Sequence, residues 1–254
     1  MAFETGSTDF QFGVCAVVTI VYQLFFFLIA AYFRFDTVTD LAGGSNFVLL
    51  AALTWYFSDT SSNFQTAANL LVIVWGVRLS AFLFYRIIMI NEDNRFKDIR
   101  EDLCKFFGFW VFQMFWVYIV SLPLIFVNGC GDDGSNVQSL GEQEIIAISI
   151  SVLGLLVESI ADQTKFNFKQ WGSSPKKWCT VSIWKYSRHP NYFGEIIFWW
   201  GFFLLCSSQM SGDNTWGFFT IISPCFITGL LLFLSGLPML GNSWEISSLI
   251  IPYF

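Results

Sequence analysis

The chain has 254 residues, of which 55% are hydrophobic and only 13% are charged, and it contains 31 Phe and 11 Trp. A water-soluble domain carries roughly 25% charged residues, so this composition excludes a soluble globular protein. Several apolar stretches approach or exceed the roughly 20 residues that cross a bilayer. We therefore predict an all-α polytopic membrane protein, folded as a single transmembrane domain over residues 1–254.

The predicted spans follow one another along the whole chain. The long apolar stretches cover residues 12–33, 67–90, 106–127, 145–160, 192–207 and 216–240, and a shorter one at 47–57 brings the total to about seven. No basic segment precedes the first stretch, so we expect a permanent helix there rather than a cleaved signal peptide. Residues 35–46 include Gly43 and Gly44, which favour a connecting turn before the second span.

The net charge of −6 conceals a strong asymmetry between the two sides of the predicted membrane. With seven spans, the basic residues fall on one side, at Arg34 and in the stretches 86–105 and 165–188, while the opposite loops carry acidic residues and no Lys or Arg. Cytoplasmic loops collect Lys and Arg, so the basic loops are predicted to be cytosolic. A basic face attracts either anionic lipids or an anionic cofactor, and charge alone does not choose between them.

Familiar soluble-enzyme motifs are missing from the sequence. It contains no GxGxxG, GxSxG, HExxH or P-loop pattern, which leaves Rossmann, hydrolase, zinc-peptidase and nucleotide-hydrolase functions without support. The six Cys show no CxxC or regular spacing, and there is one His. We therefore expect neither a metal site nor a disulfide framework, and no nucleic-acid partner.

The most informative polar residues precede and open the sixth predicted span. Arg188, His189, Asn191 and Glu195 surround Pro190, which suits the first turn of a helix because it has no N–H to lose. Asn191 and Glu195 are four residues apart and share one helix face. Hydrocarbon does not solvate ionisable groups, so groups at this depth usually mark a functional site.

Two further sets of polar side chains are predicted at the same end of the bundle. Glu158 and Asp162 lie four residues apart on the fifth span, and Lys165 follows three residues later. The third span adds three more: Arg78, Tyr85 and Arg86. Arginine grips phosphates with two bonds, a carboxylate suits a ribose hydroxyl and Asn191 suits a carboxamide, so a nicotinamide cofactor would fit between the helices. Ion pairing of Arg78 with Glu158 or Glu195, and of Lys165 with Asp162, would explain the same charges without chemistry.

The run 184–195, with Trp199, Trp200 and Gly201, resembles the C-terminal domain of the steroid 5α-reductase superfamily, and in particular its uncharacterised multi-pass branch. The resemblance extends in order over about residues 30–240, through segments such as 35–46, 75–79, 154–168 and 235–238. It implies a seven-helix bundle that takes NADPH from the cytosol and reduces a carbon–carbon double bond conjugated to a carbonyl in a lipid substrate.

By position, the resemblance implies roles for particular residues of this chain. Nine would surround the cofactor: Arg86, Arg95, Glu158, Asp162, Lys165, Arg188, His189, Asn191 and Tyr192. Glu195 and Tyr85 would be catalytic. Glu158 replaces an asparagine of the steroid enzymes. The tyrosine and the Gln-Glu pair that polarise the steroid carbonyl have no counterpart here, and Tyr85 is the nearest substitute.

Two alternatives stay open. An S-adenosylmethionine-dependent methyltransferase of the isoprenylcysteine or phospholipid type uses a similar Arg-His-Pro run, although its usual Glu-Glu pair does not follow residue 195. A non-enzymatic membrane subunit or lipid-binding protein would agree with the C-terminal segment, where no Lys or Arg follows Arg188 and cofactor binding is expected to be weaker. The host membrane would be the endoplasmic reticulum in a eukaryote and the plasma membrane in a bacterium.

Overall fold

A computed structural model describes residues 7–33, 37–58, 62–90, 102–130, 140–171 and 178–235, and no β-strand occurs among them. Six long helices come first: α1 Thr8–Phe33, α2 Thr37–Phe57, α3 Asn63–Ile90, α4 Leu103–Gly129, α5 Glu142–Trp171 and α6 Pro190–Ser207. The last passage begins as a 3-10 helix, Gly212–Ile221, continues as α7, Ile222–Gly229, and ends in π-helical turns, Leu230–Ser235. The predicted all-α fold is confirmed.

Five of these passages are long and apolar enough to cross a membrane: Thr8–Phe33, Asn63–Met89, Leu103–Gly129, Glu142–Trp171 and Gly212–Leu234. The other two long helices, α2 and α6, have 21 and 18 residues, which corresponds to about 31 and 27 Å at 1.5 Å per residue. The protein is a multi-pass helical membrane bundle.

Contacts between distant parts of the chain fix the helix directions. Tyr22 hydrogen-bonds Ser45, and the next residue, Gln23, donates to the Ala42 carbonyl, so α1 and α2 run antiparallel. The Gln11 side chain donates to the Asn128 carbonyl, which places the start of α1 beside the end of α4. We call the end where α1, α3 and α5 finish the basic end, because their following loops hold the Lys and Arg residues. The opposite end is the acidic end.

The predicted turn at Gly43 and Gly44 is wrong, because α2 begins at Thr37 and runs through both glycines. A Cβ on Gly43 would lie 3.0 Å from the Trp116 ring, and a Cβ on Gly44 would collide with the hydroxyl of Ser80. The glycine pair therefore serves close helix packing against α4 and α3 rather than a reversal of the chain.

Helices α5 and α6 pack with their backbones in close contact, and glycine makes this possible. A Cβ on Gly154 would lie 2.5 Å from the Phe198 nitrogen, and one on Gly194 would lie 2.5 Å from the Glu158 nitrogen. Such backbone approach is available only to residues without a side chain. These contacts fix an antiparallel register in which Glu158 lies beside Gly194 and Gly154 lies beside Phe198.

Candidate functional site

The best-defined polar contact of the bundle joins α3 to α5. The Arg78 guanidinium donates from Nη1 to Glu158 Oε1 at 2.5 Å and from Nη2 to Asp162 Oδ2 at 2.6 Å. The Trp75 indole N–H donates to the other Glu158 oxygen at 3.2 Å. Trp75 and Arg78 share one face of α3, and Glu158 and Asp162 share one face of α5. The two helices therefore meet with hydrogen-bond donors on α3 facing carboxylate acceptors on α5.

This pairing is one of the arrangements that the sequence left open. The side chains are 18% exposed for Arg78, 3% for Glu158 and 13% for Asp162, so the charges lie inside the bundle. A charge at this depth needs a partner, and Arg78 supplies it to both carboxylates. Both oxygens of Glu158 and one oxygen of Asp162 are therefore already engaged by protein donors.

Glu195 adds a third carboxylate beside this pair. Because Gly194 abuts Glu158, α6 brings Glu195 within electrostatic range of Glu158, Asp162 and Arg78. No hydrogen-bond or ion-pair partner for its carboxylate lies in the part of the chain that the structure describes. Three acids thus surround one arginine, and Glu195 is the one that Arg78 does not bind.

The α6 entrance holds two further polar atoms that lack partners. Asn191 Oδ1 and His189 Nε2 are both buried, and neither has a hydrogen-bond partner among the described residues. The register set by Gly154 and Gly194 places Asn191 beside Asp162, one turn closer to the basic end than Glu195. Buried polar atoms are normally satisfied, so these two groups have hydrogen-bonding capacity that the described residues leave unused.

Cations surround the same entrance. The His189 ring stacks on Tyr192 at 5.0 Å between ring centroids, and burial together with the charges of Lys165 and Arg188 lowers the pKa of His189 below its ordinary value. The Lys165 ammonium lies over the Trp184 ring at 4.9 Å, and the Trp184 indole donates to the Ala161 carbonyl at 2.9 Å. The short 3-10 helix Ser182–Lys185 is thereby held against α5.

Two further predicted site residues, Tyr85 and Arg86, lie nearer the basic end of α3. Tyr85 is 48% exposed, and its ring packs against Phe166 at 5.4 Å, two turns beyond Arg78. Arg86 binds Asp40 of α2 at 3.3 Å, a pairing that the sequence did not predict. Arg95 lies outside the described residues. The structure thus brings Asp162, Glu158 and Glu195 together and keeps Tyr85 apart from them.

Sequence reasoning missed Trp75 as a site residue. Its position three residues before Arg78 was the available signal, since residues with this spacing share a helix face. Two apolar surface grooves of about 330 and 270 Å³ also occur, lined around Phe10 and Val14 and around Phe112 and Phe226. Neither groove includes a predicted site residue.

Fold and site together define a multi-pass helical membrane protein with a buried charged cluster between α3 and α5. The chain belongs to the DUF1295 family, described as a protein family of unknown function, whose pattern matches residues 26–247. It is similar to the uncharacterized protein C594.04c of Schizosaccharomyces pombe (strain 972 / ATCC 24843), with 21% identity over 206 residues. That match covers 68% of this chain but only 58% of the yeast protein. No solved structure matches the chain.

Proposed function

We propose that the protein is a membrane-embedded reductase of the steroid 5α-reductase superfamily that uses NADPH to reduce a carbon–carbon double bond conjugated to a carbonyl in a lipid. The single observation that carries the proposal is the pair of buried polar atoms at the start of α6, Asn191 Oδ1 and His189 Nε2, that have no partner among the described residues, with the partly buried Glu195 carboxylate one turn further along the helix. They lie between cations on one side and an apolar aromatic core on the other. The proposed orientation has the basic loops in the cytosol. The host membrane would be the endoplasmic reticulum in a eukaryote and the plasma membrane in a bacterium.

The residues at this entrance fit a nicotinamide dinucleotide. Asn191 Oδ1 is an acceptor that lacks a donor, which suits the amide N–H of a carboxamide. Lys165 and Arg188 supply the positive field that phosphates need, and the neutral ring of His189 beside them can exchange a hydrogen bond. Asp162 has a second carboxylate oxygen that no hydrogen bond within the described segments uses, and this oxygen suits a ribose hydroxyl as its donor.

When bound, NADPH would supply a hydride to the β-carbon of the conjugated substrate. The protein would then provide the proton that the α-carbon takes up. Glu195 is the candidate, because Arg78 binds the two neighbouring carboxylates and not this one. Arg78 would act as a positioning residue, since it holds Glu158 and Asp162 in place.

A non-enzymatic function has one specific observation in its favour. The ion pairs of Arg78 with Glu158 and Asp162 satisfy these charges internally, as they would in a lipid-binding protein or subunit that uses them only to join α3 to α5. The unpaired groups of α6 favour the reductase over this alternative.

Ligand-induced stabilisation tests the proposal directly. A ligand that binds only the folded state stabilises it by about 2.7 kcal/mol at 100 times its Kd. Purified protein in detergent should therefore melt several degrees higher with millimolar NADPH, and NADH and S-adenosylhomocysteine serve as comparison ligands. Asn191→Leu should abolish the NADPH shift, whereas the control Asn167→Leu, on the exposed surface of α5, should keep it.

Two outcomes would overturn the proposal. The absence of any NADPH shift in the wild-type protein contradicts cofactor binding, and a shift with S-adenosylhomocysteine alone would point to a methyltransferase. Equal NADPH shifts in the wild-type protein and in Asn191→Leu would show that the α6 entrance is not the binding site.

A further inference from the structure

An aromatic cluster fills the middle of the bundle next to the charged site. The Phe47 ring of α2 contacts Trp75, Trp116 and Trp199, with centroid distances of 5.1, 5.1 and 5.8 Å. Trp75 also packs against Trp199 at 4.9 Å. The cluster therefore brings together side chains from α2, α3, α4 and α6 around one phenyl ring.

Of the three indole N–H groups in this cluster, one has a hydrogen-bond acceptor and two have none among the described residues. Trp75 donates its indole N–H to Glu158, but the indole nitrogens of Trp116 and Trp199 are buried without an acceptor among the described residues. Asn46, which precedes Phe47, is fully buried, and neither its amide nitrogen nor its amide oxygen has a partner in the described chain. Hydrocarbon offers no acceptor, so buried donors inside a membrane protein need an internal partner.

Trp75 connects these unsatisfied donors to the charged site. Its indole N–H lies on Glu158 while its ring forms a wall of the aromatic cluster. Arg78 lies one turn nearer the basic end on the same face of α3. Trp199 follows Glu195 by four residues and shares its face of α6. A molecule that extends from Glu195 toward the middle of the membrane would therefore meet Trp199 and the cluster around Phe47.

We propose that Asn46, Trp116 and Trp199 form the subsite that binds the carbonyl oxygen of the lipid substrate. The assignment of this oxygen to a substrate rests on the proposed reductase function. A carbonyl oxygen has two lone pairs and accepts the N–H donors that the cluster leaves over. Donation to this oxygen withdraws electron density from the conjugated double bond and makes its β-carbon a better hydride acceptor. Aromatic walls with few polar groups suit an apolar molecule that carries one acceptor.

The subsite also explains why Tyr85 is not needed for this role. Tyr85 packs on Phe166 and is 48% exposed at the basic end of α3. Trp199, by contrast, is 1% exposed and contacts Trp75, which itself binds Glu158. The donors for a carbonyl deep in the bundle thus come from α2, α4 and α6.

Binding of a carbonyl probe in the absence of NADPH tests this subsite. The probe is pentadec-3-en-2-one, a long-chain conjugated ketone, and its control is the hydrocarbon of the same length with the same double bond. Wild-type protein in detergent should bind the ketone at least about tenfold more tightly than the hydrocarbon, as one hydrogen bond to a buried donor implies. Trp116→Phe, Trp199→Phe and Asn46→Leu should each reduce that preference without weakening hydrocarbon binding.

A matched control comes from Trp110, whose indole nitrogen is also buried without an acceptor in the described chain, but which packs against Phe27 and Phe106 instead. Trp110→Phe should leave the preference for the ketone unchanged. Because the phenylalanine variants keep an aromatic ring, Trp199→Phe preserves the test even where Asn46→Leu fails to fold. A probe with a ¹³C-labelled carbonyl adds a direct readout: its stretching band should shift to lower wavenumber in wild-type protein and return toward the free position in the three variants.

The result that would overturn the subsite is equal binding of ketone and hydrocarbon, or a carbonyl band that the three substitutions do not move. Such a result in a protein that NADPH still stabilises would leave the reductase proposal intact. Ketone recognition that depends on Trp116 and Trp199 without any NADPH shift would support the subsite and remove the reductase.

Discussion

The backbone of Gly194 lies against the backbone of Glu158, so closely that a Cβ on Gly194 would be 2.5 Å from the Glu158 nitrogen. This contact places the carboxylate-bearing turn of α5 directly beside the Glu195 turn of α6. The polar site is therefore built by helix packing, and the glycines of the α5–α6 pair position it as much as its charged side chains do.

Substitution of Gly194 by Ala should destabilise the protein strongly. The added methyl group would push against backbone atoms of α5, which cannot change rotamer to avoid it, so we expect a cost at the upper end of the roughly 1–3 kcal/mol typical of overpacking. Gly108→Ala in α4 is the control, because a Cβ there meets nothing within 4 Å, and the loss of a helix glycine should stabilise by about 0.5–1 kcal/mol. Thermal melts in detergent measure both variants. Equal melting temperatures for the two would contradict the close α5–α6 contact.

Removal of the Arg78 charge should be costly for a different reason. Arg78→Met would leave Glu158 and Asp162 buried without a cation, and loss of one member of a buried ion pair typically costs about 3–5 kcal/mol. The additional change Glu158→Gln should recover part of the loss, since it removes one uncompensated charge.

The control for Arg78 is Arg86→Met. The ion pair of Arg86 with Asp40 is longer, at 3.3 Å, and its side chains are 29% and 21% exposed, so we expect a cost of about 1 kcal/mol or less. Chemical unfolding of the three variants, Arg78→Met, Arg78→Met with Glu158→Gln, and Arg86→Met, against the wild-type protein provides the measurement. A loss for Arg78→Met no larger than that for Arg86→Met would show that the cluster is solvated.

Part of the site was predictable because its residues lie close together along the chain. Helical spacing alone puts Asn191 on the same face as Glu195, and Pro190 marks the helix start correctly. Spacing also aligned Glu158 with Asp162. The meeting of these two faces was expected from the resemblance of the motifs, and the structure supplies its physical reason in the glycines of α5 and α6.

The rest depended on contacts between residues far apart in sequence. The Arg86–Asp40 pair joins residues 46 positions apart, and its register follows from how α2 packs on α3 at Gly44. The same packing explains why Gly43 and Gly44 lie in a helix and not in the predicted turn. A glycine pair in a sequence is compatible with either a turn or a close helix contact. Local sequence contains no information that separates these two uses.

The stability of the protein should depend on pH through the ionisation of His189. Burial, Lys165 and Arg188 lower the pKa of His189 from its ordinary value of 6.5 in the folded protein. The folded protein therefore favours the neutral His189 ring. The stability that this ring contributes is fully present above about pH 6.5, and that stability is lost as the pH falls through the lowered pKa. Melting temperatures between pH 7.5 and 5 should fall more steeply for wild-type protein than for His189→Gln. Parallel profiles would show that the ring is solvated and free of the two cations.

The acidic end of the bundle should depend on a network of neutral amides. Asn128 donates to Thr54 Oγ1 at 2.8 Å and exchanges two bonds of 3.0 Å with Asn69. Its backbone carbonyl accepts from the Gln11 side chain at 2.9 Å. The network joins α1, α2, α3 and α4 without any charge, and its members are buried.

Interhelical hydrogen bonds in membranes average about 0.6 kcal/mol each and reach about 1.7. Asn128→Leu removes its three side-chain bonds and leaves the Asn69 carbonyl oxygen without a donor, so we expect a loss of about 2 kcal/mol. The double variant with Asn69→Leu should lose less than the sum of the two single variants, because removal of both partners leaves no orphaned amide between them. A double-mutant cycle measured by unfolding in detergent determines the coupling. Because the network lies at the opposite end from Asn191, NADPH-induced stabilisation should survive in all three variants, and its loss there would show that the two ends of the bundle are coupled.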